Sequence, residues 1–143
     1  MFDYKEHGYL IDLEIDGFDS IIPISNLLHK KIKVFSFDTV NYCNETTQVY
    51  DLKLSLKDTN IWKITTSNNK LFICSDYCSI LTMDGWKYAM DLVYTDRLID
   101  LSETPYIRAT NVESALKYGK ANVYRFTAHP FPSFTSKGLV LHV

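Results

Sequence analysis

Between residues 48 and 57 apolar and polar side chains alternate cleanly: Tyr50, Leu52, Leu54 and Leu56 point one way, while Asp51, Lys53, Ser55 and Lys57 point the other. A period of two is the repeat of a pleated strand with one wet face, and no helix can present it. The run ends in the turn-like Lys57-Asp58-Thr59-Asn60 and returns as Ile61-Trp62-Lys63-Ile64-Thr65-Thr66, which predicts a hairpin. Ser67-Asn68-Asn69-Lys70 turns again into Leu71-Phe72-Ile73-Cys74, so three antiparallel strands are expected here.

The rest of the chain keeps this grammar. Residues 9–15 put Ile11, Leu13 and Ile15 on one face with Asp12 and Glu14 opposite, and Asp16-Gly17 turns the chain. Ile24-Ser25-Asn26-Leu27-Leu28 predicts a single helical turn before a strand over residues 31–37. Asp84-Gly85 is a hairpin signal between residues 80–83 and 85–87, residues 87–92 suggest a short helix, and Tyr94-Thr95-Asp96 turns into Arg97-Leu98-Ile99. A looser stretch over residues 102–122 precedes strands at 123–127 and 138–142. Many short strands joined by tight turns, without a βαβ rhythm or an internal repeat, predict an all-β fold. Trp62, Trp86, Phe35, Phe37, Leu52, Leu54, Ile64, Phe72, Leu81, Tyr124, Phe134 and Val140 are its expected core.

With 143 residues, 46% of them hydrophobic and 14% aromatic, the chain fits one globular domain with a sizeable core. Fifteen Lys plus Arg against seventeen Asp plus Glu leave no basic excess for phosphates, so nucleic-acid binding is not expected. No eighteen apolar residues run together and the start has mixed charge, so neither a membrane span nor a leader is read. Three cysteines, Cys43, Cys74 and Cys78, are too few and odd in number for a disulfide framework, which suits a reducing, cytoplasmic setting. A metal site from these cysteines with His129 lacks regular four-ligand spacing, so buried free thiols are expected and no cofactor is implied.

The order of turns and strands resembles the Hint fold shared by inteins and the autoprocessing domains of hedgehog proteins. The resemblance is carried by Gly8-Tyr9-Leu10-Ile11 with Pro23-Ile24-Ser25-Asn26-Leu27, by residues 62–99 with their Gly85-Trp86 turn, and by residues 123–127 and 133–142 at the end. It implies a horseshoe of short antiparallel strands with pseudo-two-fold character and adjacent termini, of mini-intein size with no endonuclease insertion. Its partners would be flanking host segments in cis, with the domain acting as a monomer.

Splicing starts from a thiol or hydroxyl on the first residue, where this sequence offers Met1, or Tyr4 if three residues are flanking; neither forms a thioester. The family's Thr-x-x-His, which protonates the scissile amide, resembles Cys74-Ser75-Asp76-Tyr77, and a phenol with a pKa of about 10 is no proton shuttle near neutrality. At the end His142 is the retained family position, but Val143 replaces the Asn that cyclises. Arg125 stands where the family has an Asp, and Pro132 where it has a further His, with His129 three residues earlier.

The resemblance therefore implies an intein-like domain that does not splice as written, through natural loss or through mutation that traps the precursor. The alternative is a non-catalytic structural or interaction module within a larger protein. Twelve Lys against three Arg, with eight Asn and twelve Ile, are compatible with an AT-rich phage or viral genome.

Overall fold

The computed structural model describes residues 5–103 and 105–143. Its elements are strands, with two single 3₁₀ turns among them, as the alternation predicts. In chain order the strands are β1 (Glu14–Asp16), β2 (Ile21–Pro23), β3 (Ile32–Asp38), β4 (Cys43–Thr66), β5 (Leu71–Ser75), β6 (Ser79–Thr82), β7 (Gly85–Tyr88), β8 (Arg97–Asp100), β9 (Arg108–His129), β10 (Ser133–Ser136) and β11 (Leu139–His142). The 3₁₀ turns are Ile24–Leu27, the expected helical turn, and Ala89–Asp91, within the expected short helix.

Two strands are far from short. β4 and β9, of 24 and 22 residues, pair antiparallel from Gln48↔His129 to Thr66↔Val112. β3 pairs with the first part of β4, β5 with its last part, and β8 with the start of β9. β6 bridges β8 and β11, β7 folds back on β6, and β10 closes on β11 with Ser133 opposite His142. β1 and β2 form a separate hairpin. It is fastened to β10 and to the turn after it by Asp16, whose carboxylate accepts from Thr135 Oγ1 (2.7 Å) and Gly138 N (2.8 Å).

Several expectations from the sequence are corrected. Lys57-Asp58-Thr59-Asn60 is not a turn: β4 runs straight through it, with register shifts against β9 on both sides. Asp51 and Asp58 take left-handed φ of 64° and 48° there, which Asp tolerates better than most residues, so the local turn chemistry makes bulges inside a strand rather than its end. The slip between Tyr50 and Lys53 also breaks the alternation. Val49 is buried, whereas Leu54 is 39% exposed and Leu52 only packs against the core edge. Phe35, expected inside, is likewise exposed, against Phe18. Finally, the loose stretch over residues 102–122 contains the first part of β9, whose Leu116 and Tyr118 face solvent and so give no apolar alternation. Of the expected first strand, only residues 14–16 are regular, Tyr9 being an isolated bridge.

The main core gathers Tyr9, Ile15, Ile24, Leu27, Val34, Val49, Ile64, Phe72, Ile80, Leu98, Phe126, Phe134 and Leu141. A smaller cluster joins Phe37, Leu81, Ile99, Leu101 and Val140, with Trp86 against it. Trp62 and Tyr124 pack at the edge of the main core. Tyr9 lies edge-on to Phe134, whose ring meets Phe126 at 4.9 Å, so the start and end of the chain share one aromatic cluster.

Candidate functional site

Near its start the chain is laid between β5 and β9. Tyr9 exchanges two backbone hydrogen bonds with Tyr124 of β9 (2.9 and 2.8 Å), and on its other side it bridges Cys74 of β5. This route needs a glycine at position 8, because a Cβ there would come within 2.8 Å of the Tyr124 carbonyl oxygen and 2.9 Å of Val123 Cγ2.

The peptide groups on either side of Gly8 are gripped by side chains. Gly8 N donates to Ser75 Oγ (2.9 Å), and the preceding carbonyl, that of His7, accepts from Ser55 Oγ (2.7 Å). The Gly8 carbonyl oxygen takes the Cys78 thiol at 2.9 Å, Ser75 N at 3.2 Å and Ser75 Oγ at 3.3 Å. Ser75 ends β5 and Cys78 follows the turn through Asp76 and Tyr77, so a spacing of three brings both side chains onto one stretch of backbone. Both residues are buried.

The titration of the two thiols differs by environment. Burial pushes the Cys74 thiol up. Cys78 is equally buried, but its hydrogen bond with Cys74, the charge of His7 and the bonds with Ser75 outweigh that cost and bring it down to about 7. His7 is itself buried, with its ring edge-on to Tyr9.

The end of the chain lies beside this start. Tyr9 Oη donates to the His142 carbonyl oxygen at 2.6 Å. The His142 ring lies edge-on to Trp86 at 5.2 Å, and its Nδ1 sits 2.9 Å from the Val143 carbonyl oxygen. Burial, with the charges of His7 and Arg125, holds its pKa below the ordinary histidine value, despite the bond to Val143. Val143 is half-buried at the core edge, and its N–H donates to the Pro132 carbonyl at 3.0 Å. Arg125 is half-buried at 3.9 Å from Glu6.

Of the residues singled out in the sequence, His142, Val143, Arg125 and, among the three cysteines, Cys78 are brought to this site. Cys74 lies behind it, wholly buried under Tyr9, and Tyr77 stands outside with its ring edge-on to Tyr88 at 5.2 Å. The pair in contact with the chain start is Ser75 and Cys78, which has the same three-residue spacing one position later. Gly8, Ser55 and His7 were not singled out for chemistry. Met1 and Tyr4 lie outside the described residues. Cys43 opposes Asp38 and His129 opposes Gln48, at other positions of the sheet. Among the described residues no group of three or more His, Cys, Asp or Glu is placed to hold a metal ion. None of their helices is long and apolar enough to cross a membrane.

No protein-family model and no curated protein matches the sequence. Solved structures do. The chain is similar to the Ssp DnaB mini-intein variant M86, at a TM-score of 0.88 and 16% identity, covering 99% of this chain and 96% of that one. It is similar to a DnaB intein from Synechocystis sp. PCC 6803 (TM-score 0.84, 18% identity, 96% and 98% covered). It also matches the DnaX mini intein from Spirulina platensis (TM-score 0.79, 21% identity, 96% and 100% covered). The chain has the all-β intein, or Hint, fold at mini-intein size.

Proposed function

We propose that this chain is a single intein-like Hint domain, without an endonuclease insertion, that acts in cis on flanking host segments and does not splice as written. The observation that carries the reading is the contrast between the grip and what is gripped. Ser75 and Cys78, spaced as the family's Thr-x-x-His, hold the chain start by both sides of one residue, and that residue is Gly8, which has no side chain to attack with. Counted from this contact, Ser75 stands in the Thr position and Cys78 in the His position, one residue later than the sequence suggests. At the other end His142 is followed by Val143, which has no amide to cyclise. A framework that still brings its ends together, with reacting atoms missing at both, fits a fold that has outlived its chemistry or a precursor trapped by mutation.

Expression of the domain between two reporter proteins tests this. Intact mass should show no product in which the two reporters are joined. Ligated reporters would overturn the non-splicing assignment.

A further inference from the structure

We propose that Cys78 is an internal nucleophile that takes the Gly8 acyl group and cuts the chain between Gly8 and Tyr9. The activity goes beyond the loss of splicing and is separable from it, since a cut at one bond ligates nothing.

Four geometric observations and one electrostatic one support it. The Cys78 sulfur is 2.9 Å from the Gly8 carbonyl oxygen, so a rotation about its χ1 is the movement that separates hydrogen bonding from attack on the carbon. That oxygen already faces Ser75 N at 3.2 Å and Ser75 Oγ at 3.3 Å, two donors fixed where negative charge would develop. Gly8 offers no side chain to block the approach, and it lies so close to Tyr124 and Val123 that a Cβ there would meet them at 2.8 and 2.9 Å. The leaving nitrogen, that of Tyr9, is held by the Tyr124 carbonyl at 2.9 Å. The thiol also titrates low enough to supply thiolate at neutral pH, unlike the serine hydroxyls around it.

The step balances without an oxidant or a metal. The thiol gives its proton to water, Sγ bonds to the Gly8 carbonyl carbon, and the oxyanion rests on Ser75. The carbon–nitrogen bond to Tyr9 then breaks, and a proton from water leaves on the Tyr9 amine. Water resolves the Gly8–Cys78 thioester to a carboxylate and free thiol; hydroxylamine, if added, resolves it to a hydroxamate.

The test uses the full chain with a reporter fused before Met1, incubated with and without hydroxylamine and followed by intact mass. The expected products are a reporter ending at Gly8, as acid or hydroxamate, and a fragment beginning at Tyr9. Ser75→Ala should slow release by about 10-fold or more, since an oxyanion donor is typically worth about 100-fold and the Ser75 N–H remains. Cys78→Ala should abolish it, and Cys78→Ser, nearly isosteric, should keep the fold by circular dichroism while losing the hydroxamate product. An uncut wild-type chain, cleavage at another bond, or unchanged hydroxamate formation in a folded Cys78→Ser variant would each overturn the proposal. Ligated reporters in the splicing assay would bear on the non-splicing reading and leave this one standing.

Discussion

Gly8 and Val143 limit the site in different ways. A side chain at Gly8 would collide with the β9 backbone, so a nucleophile cannot be restored there without moving the strand. Val143 has no such constraint, because it packs only at the core edge and its backbone N–H already holds the Pro132 carbonyl. Val143→Asn should therefore be accommodated, and with a reporter fused after it the chain should cleave slowly at that residue without ligation. The assisting imidazole of His142 must be neutral, and burial holds its pKa below about 6.5, so the rate should fall only on acidification past that value. A rate that falls from pH 8 to 7 would show that another group assists. The same shift predicts a stability slope. The folded state disfavours the charged ring, so nothing is lost above about pH 6.5, and stability declines as pH falls through that value towards the folded pKa. The melting temperature of His142→Gln should decline less between pH 7 and 5 than that of wild type.

At the scale of elements, β5, β8 and the turn before β11 are tied together by one buried ion pair. Lys70 Nζ donates to both Asp100 oxygens at 2.7 Å, to Ser102 Oγ at 2.9 Å and to the Lys137 carbonyl. Asp100 accepts further from Asn68 Nδ2 and Ser102 N, both at 2.9 Å, and its side chain is only 5% exposed. Removing one partner leaves a buried charge, so Lys70→Met should destabilise by about 3–5 kcal/mol, read as a lower urea midpoint. Burial raises the Asp100 pKa, but Lys70, Ser102 and Asn68 outweigh it and the net shift is downward. The stabilisation is thus full above about pH 4 and lost as pH falls through the folded pKa. An equal urea midpoint for wild type and variant at pH 7 would show that the pair contributes nothing. In the sequence Lys70 closes a turn and Asp100 follows the Arg97-Leu98-Ile99 strand, and neither pattern nor turn chemistry pairs charges 30 positions apart. Strand positions, by contrast, are legible at β3, β5 and the Asp84-Gly85 hairpin. They are misread along β4 and β9, where bulges mimic turns and the outward residues Leu116 and Tyr118 disguise a strand. Of the candidate site, His142 and Val143 are singled out in the sequence and lie beside Tyr9, while the contact of Ser75 and Cys78 with Gly8 is not legible there, because a glycine backbone carries no chemical signature.

Across the whole molecule the two ends of the chain are part of the same core. Tyr9 is 1% exposed, sits in the cluster with Phe134 and Phe126, and donates its hydroxyl to the His142 carbonyl. Leu13 is buried in the same core, and its N–H and carbonyl hold Leu10 and Ile24. Residues 5–8, in contrast, add a grip on backbone around Ser55, Ser75 and Cys78, with His7 as their buried side chain. The part of the chain that builds the core thus begins at Tyr9, and truncation should reveal it. A chain begun at Tyr9 keeps the aromatic contact and the bond to His142, and should unfold cooperatively at a modestly lower temperature than the full chain. A chain begun at Glu14 loses Tyr9 and Leu13 together. Each deletion of such a buried side chain costs about 2–5 kcal/mol, against a total stability of about 5–15 kcal/mol for a typical domain. It should lack a cooperative melt by near-ultraviolet circular dichroism. If the chain begun at Glu14 melts as sharply as the one begun at Tyr9, Tyr9 does not hold the ends together and the contact with His142 is incidental to the fold.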